Sequence, residues 1–256
     1  MKIINKIAKK HNLFLIEDCC EALGAKYEMK KVGTFGDLST FSFFASHHIT
    51  TMEGGMLITN NQQLFEIAKS LRTHGWTRNL KNKKALEKKY SEIDSRFLFS
   101  NLGYNLRPTE LQGAFGIHQI KKINKFLKIR ATNAEFWKKR LSSYSDYITF
   151  LEDKPNNFNA NMLFPIKIVK NDFFTKDDMV NYLQKNGIET RPVMAGNFVK
   201  QPVIKLISHK VSGSLKNSTD LMKNAFLIGN NQNIDKFMRK YVSEIIIKFL
   251  DSKIER

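Results

Sequence analysis

An α/β fold of alternating strands and helices, followed by a smaller C-terminal α+β domain, is predicted by three observations. Short apolar runs alternate with helix-period segments as far as Gly75. Two long amphipathic stretches occupy the middle of the chain. Beyond them come a strand-like alternation, a capped helical segment and a terminal apolar stripe.

The elements follow in order. Ile3 to His11 has a helical period, and Leu13-Phe14-Leu15-Ile16, closing on Glu17-Asp18, reads as a buried strand. A turn-rich stretch with Gly33, Gly36 and Asp37 leads into a strand from Leu38 to Phe43. A polar loop then runs to Gly54-Gly55, ahead of a strand from Met56 to Thr59. Leu64, Ile67, Ala68 and Leu71 recur at i, i+3, i+4 and i+7, which predicts a helix stopped by Gly75. Buried strands alternating with helices predict a largely parallel sheet. The lysine-rich stretch 79–94 reads as a mobile loop.

From Pro108-Thr109-Glu110 onward, Leu111, Ala114, Phe115, Ile120, Ile123, Phe126 and Leu127, then Phe136, Trp137 and Leu141, mark one or two linking helices. Met162, Phe164, Ile166 and Ile168 alternate as a strand. Thr175 to Asn186 reads as a capped helix ended by Gly187. Ile234, Phe237, Met238, Tyr241, Val242, Ile245, Phe249 and Leu250 would form the inner face of a terminal helix. The expected organisation is a first domain over 1–112, linking helices over 113–145 and a small domain over 146–256.

Composition narrows the function. With 42% hydrophobic and 26% charged residues, the 256-residue chain can bury a sizeable core. Apolar runs such as Leu13 to Ile16 and Ala225 to Ile228 fall far short of the roughly 18 to 20 residues needed to cross a bilayer. The opening residues carry lysines where a secretory signal needs an apolar segment, so a cytoplasmic protein is expected. The only cysteines, Cys19 and Cys20, are neighbours, which excludes a disulfide scaffold and any four-cysteine zinc or iron–sulfur site. A net charge of +18 fits nucleic acid, an anionic membrane surface or phosphorylated small molecules. The first two are discounted: the one dense patch is Lys81, Lys83, Lys84, Lys88 and Lys89, and no nucleic-acid-binding motif lies near it.

The chemistry gathers in Glu17-Asp18 and in the stretch from Val32 to Gly55. Asp18 closes a strand where open α/β sheets bind ligands, and a carboxylate there can pair with a protonated heterocyclic nitrogen. Ser42 ends a second strand, with a hydroxyl suited to phosphate. His47 follows five residues later, and Glu53-Gly54-Gly55 supplies a flexible turn. A strand-end Asp is more often a cap, and a His-His pair in a polar loop is more often surface. Cys19-Cys20 and His47-His48 do not converge on one tetrahedral ion, so no metal is expected. Residue types alone leave the function open.

The ordered set Glu17-Asp18, Gly33-x-x-Gly36-Asp37, Phe41-Ser42-Phe43, Glu53-Gly54-Gly55, Leu102-Gly-Tyr-Asn-Leu-Arg-Pro-Thr109 and Gly187-Ile-Glu-Thr-Arg191 resembles the DegT/DnrJ/EryC1/StrS sugar aminotransferase family over essentially the whole chain. The resemblance implies the fold of fold-type-I pyridoxal-phosphate enzymes, with 1–112 as a partial large cofactor-binding domain. One position departs from the aminotransferase pattern. His47 stands where those enzymes carry the lysine that tethers the cofactor, and His48 where they usually carry Asn. An imidazole forms no Schiff base but can move a proton.

That substitution resembles the family's 3-dehydratase branch, which uses pyridoxamine 5′-phosphate on nucleotide-linked 4-keto-6-deoxy sugars. Arg72-Thr-His-Gly-Trp-Thr-Arg-Asn79 holds no cysteine, so the resemblance is to the cluster-free type acting on a GDP-sugar, with glutamate regenerating the amine. It implies that Asp18 meets the pyridinium nitrogen, that Ser42 and the partner subunit's Asn105 share the phosphate in a homodimer, and that His47 is the acid–base group. Glu21 is a weaker cofactor contact. Ser46, Arg78, Glu189 and Arg191 fall at substrate or glutamate positions. The family also carries a segment ahead of Leu13 to Ile16, with the ring-stacking aromatic and part of the phosphate cup. Its absence here implies an N-terminally incomplete enzyme, an inactive fragment or one subunit of a split gene as alternatives.

Overall fold

The computed structural model describes residues 1–254 and divides into two compact units: Met1–Ile123 with Asn156–Phe158, and Asn124–Pro155 with the chain from Asn159 onward. Among the described residues no helix is long and apolar enough to cross a membrane.

In the first unit the order is α1 (Lys2–Lys10), β1 (Ile16–Asp18), β2 (Lys26–Tyr27), β3 (Lys30–Lys31), β4 (Leu38–Ser42), β5 (Gly55–Ile58), α2 (Gln62–Leu71), α3 (Lys83–Lys89) and α4 (Glu110–Ile120). β1, β4 and β5 form one sheet in that order, and β2 and β3 form a separate hairpin. β1 runs parallel to β4, with Ile16 opposite Leu38 and Asp18 opposite Thr40. β4 runs antiparallel to β5, with Ser42 opposite Gly55. The parallel arrangement expected from the alternating pattern therefore holds at one of the two pairings. The β4–β5 connection is a loop with no crossover helix, which obliges the strands to run antiparallel.

The buried apolar strand expected at 13–16 is not what forms. Leu13, Phe14 and Ile16 are exposed, β1 begins only at Ile16, and its one buried residue is the acid Glu17, at 8% exposure. The reason is polar. The Glu17 carboxylate accepts the backbone N–H groups of Gly33 at 2.8 Å, Phe35 at 2.6 Å and Gly36 at 2.7 Å. Asp37 accepts from the Leu15 N–H at 2.8 Å, and Thr59 donates to the Asp37 carbonyl at 2.6 Å. These bonds fix the strand's register without an apolar face. The turn admits only glycine at Gly36, where a Cβ would meet the Leu15 carbonyl oxygen at 2.4 Å.

The segment 79–94, expected as loop, holds α3, a run of good helix formers with a Lys83–Glu87 pair at 3.5 Å spaced i,i+4. The Lys81 N–H donates to Glu66 of α2 at 2.8 Å.

The second unit contains α5 (Ile123–Arg140, its first residue in the other unit), β6 (Ile148–Phe150), β7 (Leu163–Ile168), α6 (Lys176–Lys185), β8 (Thr190–Pro192), α7 (Lys216–Asn224), β9 (Ala225–Gly229) and α8 (Lys236–Ile254). Its sheet is wholly antiparallel, ordered β6-β7-β9-β8. β7 alternates as expected, burying Phe164, Ile166 and Ile168, whereas β9 is buried from Ala225 through Ile228. Trp137 and Leu141, Met179 and Leu183, and Ile246, Phe249 and Leu250 complete the core.

The expected inner face of the terminal helix is corrected in part: Ile234, just ahead of α8, packs against the core, but Phe237, Met238 and Tyr241 are exposed, and within α8 packing begins at Val242. Polar bonds hold this end instead. Trp137 Nε1 donates to the Arg239 carbonyl at 2.9 Å and Tyr241 Oη to the Asn186 carbonyl at 3.0 Å. Nearby Arg130, 2% exposed and with its pKa pushed down to about 10 by burial, donates to the carbonyls of Met162 and Asn230 and to Gln232.

Replacing Glu17 leaves three backbone donors without their acceptor. Glu17→Ala is expected to destabilise the first unit by about 3 kcal/mol, and Glu17→Gln, which keeps one acceptor oxygen, by less. Urea titration followed by the fluorescence of Trp76 checks both; unchanged midpoints would show that the turn holds itself.

Candidate functional site

Strand alternation sorts the first unit's motif residues onto two faces. Residues paired in a parallel ladder share a face, as do residues two apart along a strand. Asp18, Thr40 and Ser42 therefore line one face at the C-terminal ends of β1 and β4, while Glu17 and Ser39 point to the other. Ser39 is buried and donates to the Gly33 carbonyl at 2.8 Å, so the second face serves the turn.

Asp18 is exposed. Its Oδ1 accepts from the Cys20 N–H at 3.1 Å. Hydrogen bonding from the Cys20 thiol, and then from this N–H, holds its carboxyl below the ordinary carboxylate value. The bond to Asp18 in turn raises the Cys20 thiol, while burial pushes Cys19 up to about 11. Near neutral pH the face thus offers a carboxylate beside the protonated Cys20 thiol, while the Cys19 thiol is buried. Glu21 lies exposed in the following turn, its charge a minor contributor to the rise at Cys20.

Ser42 Oγ accepts from the Phe44 N–H at 3.1 Å, starting the loop to β5. Ser46 is exposed on it, and His47 is half-buried with its ring edge-on to Phe44 at 5.7 Å. The His47 N–H donates to the Phe44 carbonyl at 3.0 Å, and its buried Nδ1 makes no hydrogen bond. His48 is buried at the base of this turn.

Arg78 and Asn105 sit on two chain segments joined by isolated bridges, Thr73 to Asn105 and Trp76 to Phe99. Gly75 makes the approach possible: its φ is +85°, and a Cβ there would fall 1.6 Å from the Asn101 carbonyl oxygen. The Arg78 guanidinium lies over the Trp76 indole at 4.1 Å and donates to the Arg96 carbonyl at 3.3 Å; Trp76 stacks on Phe99 at 5.6 Å. Asn105 is exposed and accepts from Arg107 Nε at 2.9 Å.

Glu189 and Arg191 belong to the second unit, on and just ahead of edge strand β8, where they pair with each other at 3.2 Å on the surface. Such a pair contributes little stability, which leaves both free to take another partner. The structure thus gathers Asp18, Ser42, Ser46 and His47 around one pair of strand ends. Arg78 and Asn105 are tied to each other's segments, and Glu189 and Arg191 stand on the other unit.

Several residues that shape this site are not in the sequence-derived set. Cys20 and Thr40 flank Asp18, and Trp76 with Phe99 seats Arg78. Gln112, part of a Thr-x-x-Gln capping box, donates from Nε2 to the Glu53 carbonyl at 2.6 Å. Only the capping box had a sequence signature.

The model of the DegT/DnrJ/EryC1/StrS aminotransferase family matches residues 1–246. Escherichia coli O55:H7 GDP-4-keto-6-deoxy-D-mannose 3-dehydratase is 38% identical over 232 residues, covering 90% of this chain and 59% of that protein. Two solved structures of GDP-4-keto-6-deoxymannose 3-dehydratase superpose with a TM-score of 0.87 at 36% identity, each over 96% of this chain and 64% of theirs. One is a mutant with bound GDP-perosamine; the other holds a trapped PLP–glutamate geminal diamine. The chain therefore spans less than two thirds of the length of these relatives.

The role of Cys20 can be read directly from Asp18. Because the folded-state pKa of Asp18 is depressed, these bonds favour the fold above the ordinary carboxylate range, and the gain is lost as pH falls through the lowered value. Cys20→Ala removes the leading donor, so the carboxyl titration of Asp18, followed by carbon NMR, is expected to move up towards the ordinary value. No movement would assign the shift to the backbone N–H alone.

Proposed function

The chain belongs to this family, and on that premise we propose that it acts in a nucleotide-sugar 3-dehydratase, which removes the C3 hydroxyl of a GDP-linked 4-keto-6-deoxyhexose with pyridoxamine 5′-phosphate as cofactor and glutamate as amino donor. Such a reaction belongs to the making of dideoxysugars for lipopolysaccharide O-antigen. The observation that carries the reading is His47, five residues beyond Ser42 on the β4–β5 loop, where the family's aminotransferases place their tethering lysine.

The residues present fit the cofactor. Asp18 offers an exposed carboxylate, held ionised by Cys20, that would pair with a protonated ring nitrogen. Ser42, on the same face, would hold the phosphate, joined by Asn105 of a second subunit in a homodimer; Glu21 lies beside Asp18 as a lesser contact. When bound, the cofactor supplies the amine and an electron sink. His47 would accept a proton from the cofactor's C4′ carbon and pass one to the departing C3 hydroxyl, the work of a general base and then a general acid. The guanidinium of Arg78, seated on Trp76, suits a phosphate or carboxylate, as does Arg191 once released from Glu189. Ser46 and Glu189 would supply hydrogen bonds to the sugar or to glutamate.

After incubation with PLP and borohydride, peptide mapping is expected to find only the scattered labelling of exposed lysines, whereas His47→Lys adds a stoichiometric adduct at residue 47. One lysine of the unmodified chain labelled stoichiometrically at low PLP would overturn the assignment in favour of an aminotransferase.

Shared phosphate ligands give a second test. Asn105→Ala is expected to weaken cofactor binding by about 1 to 3 kcal/mol, the range for removing one partner of a charged hydrogen bond. Mixing it with Ser42→Ala is expected to restore some binding, because one hybrid site keeps both ligands. No rescue, with both variants folded and exchanging subunits, would place the phosphate site within one chain.

A further inference from the structure

The loop that carries Ser46 and His47 is closed at its base by the backbone. The Phe43 N–H donates to the Gly54 carbonyl and the Thr51 N–H to the Phe43 carbonyl, both at 2.9 Å. Within the loop the Thr51 hydroxyl donates to the Glu53 carbonyl at 2.8 Å. A second donor reaches that same carbonyl from a helix 59 residues away in sequence: Gln112 Nε2, at 2.6 Å.

The other atom of that amide is also engaged. Gln112 Oε1 accepts from the Thr109 N–H at 2.8 Å, and the Thr109 hydroxyl accepts from the Gln112 N–H at 3.3 Å, closing the capping box of α4. One turn further on, a Cβ at Gly116 would lie 3.3 Å from Thr51 Cγ2, so the helix runs close against the loop. Capping accounts for the Oε1 bond. It does not account for the Nε2 bond, since a glutamate would cap α4 equally well.

We infer that Gln112 is a positioning residue for His47: its Nε2 fixes the base of the His47 loop to the first turn of α4, the helix that begins five residues beyond Asn105. The carboxamide is required because it accepts at one end and donates at the other. A carboxylate would keep the cap but set an anionic oxygen against the Glu53 carbonyl. The role given to His47 rests on the proposed dehydration, but the clamp itself is a matter of geometry and is tested without turnover.

The test compares Gln112→Glu, which keeps the cap and loses the clamp, with Thr109→Ala, which weakens the cap and keeps the clamp. In Gln112→Glu, hydrogen exchange at the Phe43 and Thr51 amides is expected to accelerate about three- to tenfold, the worth of one hydrogen bond in local opening. The imidazole NMR signals of His47, assigned with His47→Asn, are expected to shift, while the first-turn amides of α4 stay within about twofold, their capping acceptor being retained. Thr109→Ala is expected to do the reverse. If Gln112→Glu does not fold, Gln112→Met, which keeps the length without the donor, makes the same comparison. Unchanged loop amides and His47 signals, or equal changes in Thr109→Ala, would overturn the clamp. A lysine of the unmodified chain that traps PLP stoichiometrically would end the proposed reaction but leave this comparison to decide the clamp.

Discussion

The first unit depends on one buried carboxylate. Removing Glu17 from water costs several kcal/mol, and each charged hydrogen bond returns about 1.5 to 3. One bond would leave a deficit; the three from Gly33, Phe35 and Gly36 roughly close it. Burying Glu17 has a consequence one residue later. Because side chains alternate along a strand, an inward Glu17 obliges an outward Asp18, on the face shared with Thr40 and Ser42. The acidic pair is thus divided, one carboxylate fastening the sheet and the other exposed on the opposite face.

The two units are held together by different means. The hydrophobic core cluster lies wholly in the second unit, where β7, β9, α6 and α8 interdigitate. In the first, large apolar side chains such as Ile3, Phe14, Met56, Leu111 and Phe115 are exposed, and side-chain-to-backbone bonds fix the turns. A polar network of that kind is directional. It places groups at set angles, which an apolar core supplying cohesion alone does not.

Legibility in the sequence followed the same divide. β7 was readable because its apolar residues alternate and one face is buried. The start of α8 was misread because Phe237, Met238 and Tyr241 keep the helical period yet stay exposed, polar bonds of Trp137 and Tyr241 holding that end instead. β1 was misread for a related reason: four apolar residues in a row carry no signal of face, and three N–H groups converging on Glu17 leave no periodicity at all. For the site, the family motifs named Asp18, Ser42 and His47, but the common face of Asp18 and Ser42 depends on strand register, which only the fold supplies. Gln112 was half legible: the Thr-x-x-Gln spacing announces a cap, and the bond to Glu53 is invisible until α4 and the loop are seen side by side.

The construction of the loop also bears on how one scaffold can serve two chemistries. Its closing bonds use the backbone of Phe43, Thr51 and Gly54, the Thr51 hydroxyl and the Gln112 amide. None uses the side chain of residue 47, which joins the turn through a backbone bond to Phe44 that any residue but proline can make and through an edge-on ring contact with Phe44. Position 47 can therefore change chemical type while keeping the hydrogen bonds that close the loop, at the cost of its ring contact with Phe44. A lysine there is a nucleophile that can tether a carbonyl, whereas an imidazole can only carry protons, so under the proposed function the identity of this one side chain would decide between amine transfer and proton-assisted loss of a hydroxyl.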